Sequence, residues 1–296
     1  MQEELIRELL EAAKKIALTA GQHIESRKNE DIGVTKKSNT GSIASEIVTE
    51  VDIEVQEMIE KALLPLCQKY DLAFLGEETA DNASRFEKEY FWSVDPIDGT
   101  LHFTEQIAGY STSIALVRKD GIPVIGVIND SYNNRLYSAA LGLGAFCNDK
   151  PIRCQDEGQK GGSSLRCYFD RSTQKGPPYE KLTTGIKALS SRLGYEKAEF
   201  PFGGGAALNA CWALDNSPSV YFKFPKEKGG SIWDYAATTC LYTELNLPAH
   251  DIYGNIYDLN RKESTYMNHR GILFASSETL AKGVMQLYNS LKENKE

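Results

Sequence analysis

The sequence predicts an α/β protein in two parts. Residues 1–155 read as an antiparallel sheet with two helices, and residues 156–296 as a second α/β layer with some parallel strands. Within residues 3–70, two stretches carry apolar residues at helical spacing. Residues 112–140 are short apolar runs joined by turn residues, the pattern of hairpin-linked strands. Beyond residue 155 helical and strand patterns alternate, and a run rich in Gly, Ser, Gln and Lys at 155–164 marks the join.

Leu5, Leu9, Ala13, Ile16, Ala20 and Ile24 line one face of the first helix, which Gly21 and the charged residues 26–31 bring to an end. The polar segment 35–41 reads as a loop. Its Lys36 and Lys37 could reach a bound anion or simply be solvated. Val55, Ile59 and Ala62 mark the second helix, with Thr49 and Asp52 placed to cap or charge its start. Residues 72–75 form a short strand, followed at once by Gly76-Glu77-Glu78-Thr79. Strands 112–117 and 124–128 make a hairpin across Asp120-Gly121 and Pro123. Strand 136–140 precedes a glycine turn at 141–146. The second part reads as strand 165–169, helix 179–193, and strand 198–202 ending in Gly203-Gly204-Gly205. Helix 206–214, strand 219–224, the basic loop 225–231, a helix at 235–245 opened by Ile232-Trp233-Asp234, and a last helix at 279–292 complete it.

A chain of 296 residues can bury a sizeable core. Its net charge of −8 argues against a nucleic-acid or anionic-membrane surface. No apolar run has the length of a membrane span. The acidic start Met1-Gln2-Glu3-Glu4 lacks a signal-peptide pattern, and the six cysteines form no C-x-x-C pair. A cytoplasmic protein with reduced thiols is expected.

The central stretch is Tyr90-Phe91-Trp92-Ser93-Val94-Asp95-Pro96-Ile97-Asp98-Gly99-Thr100. Residues 90–94 are aromatic and β-branched, hence a strand that Pro96 is expected to break. Leu101-His102-Phe103 could open a helix. Two carboxylates on such a turn can converge on one point, where a hard divalent cation relieves their repulsion. Free N–H groups at the helix start would accept a phosphate. The same residues would also serve as a surface turn with Asp capping a helix. Carboxylates stand at two further element ends, Glu77-Glu78 and Asp234. The four histidines show no metal-ligand spacing, and no G-x-S-x-G supports an acyl-transfer triad.

Taken in order, Thr49-x-x-Asp52, Glu77 in Gly-Glu-Glu-Thr, Asp95-Pro-Ile-Asp98-Gly-Thr100 and Trp233-Asp234-x-Ala-Ala237 resemble the inositol monophosphatase superfamily over most of the chain. The resemblance implies a layered αβαβα sandwich and a Mg²⁺-dependent, lithium-sensitive phosphomonoesterase. It places one Mg²⁺ on Glu77, Asp95 and the Ile97 carbonyl and a second on Asp95, Asp98 and Asp234. Relatives hold a third near Glu77. Asp52 and Thr100 would orient the attacking water, and the Gly99 and Thr100 N–H groups would hold the phosphate. Relatives are often dimers, so a homodimer is the assembly the resemblance offers. Metal ions lower phosphate charge and acidify water, so such a site needs no His or Cys nucleophile.

The substrate implied is a small phosphorylated metabolite. Many inositol monophosphatases carry an acidic inositol-binding residue where this chain has Lys223 or a shifted Glu227. The loop 224–231 is longer and basic, and Met267-Asn268-His269-Arg270-Gly271 is similar to the 3'(2'),5'-bisphosphate nucleotidases. Lys223, Lys226, Lys228 and Arg270 could meet a second phosphate or be a solvated charged face. Adenosine 3',5'-bisphosphate is the favoured substrate. Inositol 1-phosphate is the alternative, which the segment 203–209 resembles. A dehalogenase-type phosphatase would need D-x-D-G-T, one residue shorter than the spacing here. A non-catalytic metal-binding regulator would predict a lost ligand, and none is lost.

Overall fold

The computed structural model describes residues 1–30, 34–36, 47–153, 164–173 and 177–293. Most of the 35–41 loop, and the domain join near residue 155, lie outside these residues. Helix α1 (Glu3–Arg27) buries Leu9, Ala13, Ala17, Ala20 and Ile24. Gly21 does not end α1 but sits buried inside it, where an added Cβ would meet the Asn129 side chain at 2.0 Å. A two-stranded ladder, β1 (Val34–Lys36) with β2 (Ile47–Thr49), leads into α2 (Glu50–Tyr70).

The first sheet has strand order β3-β4-β5-β6-β7-β8-β9. Its strands are β3 (Ala73–Gly76), β4 (Tyr90–Asp98), β5 (Ser111–Arg118), β6 (Pro123–Asp130), β7 (Arg135–Ala140), β8 (Gly144–Cys147) and β9 (Lys150–Pro151). The short helix α3 (Thr100–Thr104) interrupts β4 and β5. Neighbours are antiparallel as expected, except that β3 runs parallel to β4. That single parallel pair delivers Glu77 and Asp95 to the same end of the sheet.

The second sheet has order β11-β10-β12-β14-β13. It is built from β10 (Ser164–Tyr168), β11 (Lys197–Glu199), β12 (Ser219–Lys223), β13 (Ala249–His250) and β14 (Ile272–Ala275), with β10, β11 and β12 mutually parallel. Strand β11 stops at Glu199, short of the expected Phe202, and the chain reaches Gly205 as loop. The helices of this half are α4 (Pro177–Arg192), α5 (Ala206–Asp215), α6 (Ile232–Glu244) and α7 (Glu278–Glu293).

Three apolar cores hold five layers together, the middle one reaching both sheets. Helices α1 and α2 pack on one face of the first sheet through Ile24, Val55, Trp92 and Val94. Helices α5 and α6 fill the space between the sheets through Ala210, Ala237, Phe91 and Phe274. Helices α4 and α7 cover the outer face of the second sheet through Ile186, Val220 and Val284. The result is an αβαβα sandwich. Among the described residues five cysteines are free, and no helix is long and apolar enough to cross a membrane.

The middle layer is tight. A Cβ on Gly126 of β6 would lie 2.3 Å from the Ala237 carbonyl oxygen of α6. Backbone cannot yield as a flexible side chain does, so Gly126→Val should destabilise the fold by about 1–3 kcal/mol. A fall in the thermal midpoint is expected, and an unchanged midpoint would refute this close approach of α6 to the sheet.

Candidate active site

In a regular strand, residues three apart point to opposite faces. Asp95 and Asp98 escape this because β4 carries a bulge. Asp95 lies opposite Ser113 and Asp98 opposite Ser111, so three steps on β4 span two on β5. Pro96, expected to break the strand, instead sits in this bulge within β4. The missing proline N–H costs the ladder nothing at an already irregular point. Trp92, Val94 and Ile97 therefore face α1 and α2, while Asp95 and Asp98 both face the middle layer. The Asp95 carboxylate accepts the Ile97 N–H at 3.0 Å, which tightens the turn.

Helix starts supply the other acids. Thr49 caps α2, and Asp52 at its third position accepts the Thr49 N–H at 2.8 Å and the Thr49 hydroxyl. The Thr100 hydroxyl, 3.0 Å from the other Asp52 oxygen, also lies 3.1 Å from the Ile97 carbonyl. Asp234 holds the third position of α6 and accepts the Ser231 N–H. The Ser113 hydroxyl donates to the Trp233 carbonyl at 3.0 Å, tying β5 to this helix start. The start of α5 grips Asp98, whose two oxygens accept the Ala206 and Ala207 N–H groups at 2.9 and 2.8 Å. Gly205 makes room, since a Cβ there would lie 2.4 Å from the Asp98 carboxylate.

Asp95, Asp98 and Asp234 thus present carboxylate oxygens within 4.8 Å of one another. Asp95 lies in hydrogen-bonding reach of both Glu77 and Asp234. Burial, then repulsion from its acidic neighbours, pushes the carboxyls of Asp95 and Asp98 well above the usual range. Burial and Glu77 push Asp234 up to about 6 even though Lys223 pulls the other way. Burial also pushes Asp52 up to about 6. Such a set of hard oxygen donors, starved of positive charge, fits a divalent cation of the Mg²⁺ type.

A model of the inositol monophosphatase family matches residues 5–293. The chain belongs to the inositol monophosphatase family. It is 27% identical over 250 residues to inositol monophosphatase 1 of Xenopus laevis, covering 83% of each chain. It is 28% identical over 288 residues to the Nus factor SuhB of Vibrio cholerae, covering 97% of this chain and 96% of that one. The fold matches inositol monophosphatase-II of Staphylococcus aureus in its 2'-AMP-bound form with a TM-score of 0.70 at 21% identity, over 97% and 99% of the two chains.

Of the residues expected at the family's site, the fold brings Asp52, Glu77, Asp95, Ile97, Asp98, Thr100 and Asp234 together. Gly99 precedes α3 with φ of +90°. A Cβ there would be strained and would meet the Gly109 carbonyl oxygen at 2.4 Å. The two expected cations part company. Lys223, at the end of β12, pairs with Asp170 at 2.6 Å, and its charge bears on Asp98 and Asp234. Arg270 pairs with Asp251 and lies over the Tyr253 ring.

Sequence reasoning missed Asp170. It accepts the Tyr221 hydroxyl at 2.9 Å and the Asn209 amide at 3.3 Å as well as Lys223. A signal existed: like Glu77 and Asp95, it directly follows an apolar strand run. Parallel strands β10 and β12 end side by side, the edge at which α/β sheets place their ligands.

The raised carboxyls carry a stability signature in metal-free protein. The folded chain keeps protons that the unfolded chain releases near 3.8, so their stabilisation is complete below that pH and lost as pH rises through about 6 for Asp52 and Asp234. Cation binding should offset the loss. Mg²⁺ added to chelator-treated protein should therefore raise the thermal midpoint more at pH 8 than at pH 5. An equal or reversed gain would sink the picture of a charge-starved cluster.

Proposed function

We propose that this chain is a Mg²⁺-dependent phosphomonoesterase acting on a small metabolite with a second anionic group. Adenosine 3',5'-bisphosphate fits that description, making the chain a 3'(2'),5'-bisphosphate nucleotidase. The observation that carries the choice is Lys223. Burial works against its charge, but Asp170 and Asp234 hold the amine protonated well above its ordinary range. Its side chain is only 15% exposed, so it is a fixed cation beside the acids rather than a solvated one.

Asp95, Asp98, Asp234, Glu77 and the Ile97 carbonyl would hold the cations, which when bound supply charge neutralisation for the phosphate and acidify nearby water. The chain's own residues position and deprotonate. Thr100 sits between Asp52 and Ile97, where its hydroxyl can take a proton from water and pass its own to Asp52. With its pKa near 6, Asp52 suits a base working near neutral pH. As water oxygen bonds to phosphorus, the bond to the leaving oxygen breaks, and that oxygen takes a proton from solvent. The N–H groups of Gly99 and Thr100 would steady the phosphate. The second reading, an inositol-1-phosphate phosphatase, is favoured by relatives named inositol monophosphatase.

Thr100→Ala should cut kcat by about 10²–10⁴-fold with a much smaller change in KM. A variant with normal kcat and weaker binding would contradict the proton path. For the substrate, kcat/KM for adenosine 3',5'-bisphosphate should exceed that for inositol 1-phosphate at fixed Mg²⁺ and ionic strength. Lys223→Met should reduce that ratio by about one to two decades, the worth of one charge-assisted phosphate contact. Equal or inverted specificity constants in the wild type would make the inositol reading correct.

A further inference from the structure

Phe202 is 57% exposed, more than any other aromatic side chain among the described residues. It lies three residues before Gly205, whose backbone presses on Asp98. Three residues span at most about 10 Å, so the Phe202 backbone stays within about 10 Å of Gly205 and the Asp98 contact.

The ring is held although it is exposed. The Arg171 guanidinium lies over it at 5.2 Å from the centroid and is itself anchored on Glu105 at the end of α3. His102 meets it edge-on at 6.1 Å, and the His102 Nε2–H donates to the Gly203 carbonyl at 2.8 Å. Gly203 is pinned in turn, since a Cβ there would lie 1.9 Å from the Phe169 carbonyl oxygen. An ordered, solvent-facing aromatic offers stacking area at little entropic cost.

Its placement relative to Lys223 gives the ring a purpose. Asp170 holds Lys223, and the next residue, Arg171, holds Phe202. The turn after β10 thus fixes both an amine whose charge bears on the acids and an exposed flat apolar surface. A ligand that uses both has a phosphate group at one end and a planar ring at the other.

We propose that Phe202, braced by Arg171, is a stacking platform for the planar base of a nucleotide bound at the cluster, and favours nucleotides over the same phosphates without an aromatic ring. This rests on the phosphatase reading of the cluster but not on which phosphomonoester is hydrolysed fastest.

The test uses the full-length Mg²⁺-loaded protein as wild type, Phe202→Ala and Phe202→Trp. Two quantities are read: the ratio of kcat/KM for adenosine 3',5'-bisphosphate to that for inositol 1-phosphate, and the Ki of AMP as a competitive inhibitor of inositol 1-phosphate hydrolysis. Phe202→Ala should lower the ratio and raise the Ki about ten-fold, the scale of one base–aromatic stack, and Phe202→Trp should restore both. If inositol 1-phosphate proves the better substrate yet the alanine variant raises the Ki and tryptophan restores it, the nucleotidase reading fails and the platform stands. If AMP does not inhibit the wild type, if the alanine variant leaves the Ki unchanged, or if tryptophan fails to rescue, the platform is overturned.

Discussion

The structure turns on one electrostatic constraint: several buried carboxylates must be held close against their mutual repulsion. Three helix N-termini make this possible. Asp52 sits at the third position of α2 and Asp234 at the third position of α6, while Asp98 receives the first two N–H groups of α5. Each helix start brings unpaired N–H donors and partial positive charge to an acid. Those contacts fix the carboxylates but do not neutralise them, as the raised carboxyls of Asp95 and Asp98 attest.

The constraint explains the close packing between the layers. Asp95 and Asp98 come from the first sheet, whereas α5 grips Asp98 and α6 supplies Asp234. The acids meet only if those helices press onto the sheet, and glycine stands at two close approaches, Gly126 against Ala237 and Gly205 against Asp98. Burial of the apolar middle core supplies the favourable free energy that drives this closure. Close packing of the acids and fold stability are thus opposed at the cluster and reconciled by the core around it.

The second sheet brings one positive charge to the cluster. Lys223 at the end of β12 is bound to Asp170, with Tyr221 and Asn209 supporting the carboxylate. A buried lysine without such a partner would tend to lose its proton. The pair keeps a buried lysine charge next to the acids.

Much of the site was legible in the sequence because its acids occur in local motifs. Strand-end acids at Glu77, Asp95 and Asp98, the Thr49–Asp52 cap and the Trp233-Asp234 helix start are each defined by neighbours a few residues away. The helices and hairpins were also legible, since apolar periodicity reports which face is buried, and the layer order came with the family resemblance. Tertiary structure decided the rest. The bulge at Pro96 depends on pairing with β5, so the sequence alone read Pro96 as a strand break. The roles of Asp170, Lys223 and Gly205 depend on strands and helices far apart in the chain meeting at one edge. Arg270 looked equivalent to Lys223 as a charge in the sequence, and only folding gave it to Asp251. A motif records what its own backbone can arrange, whereas the partner of a buried charge is set by whatever the packed layers bring within hydrogen-bond distance.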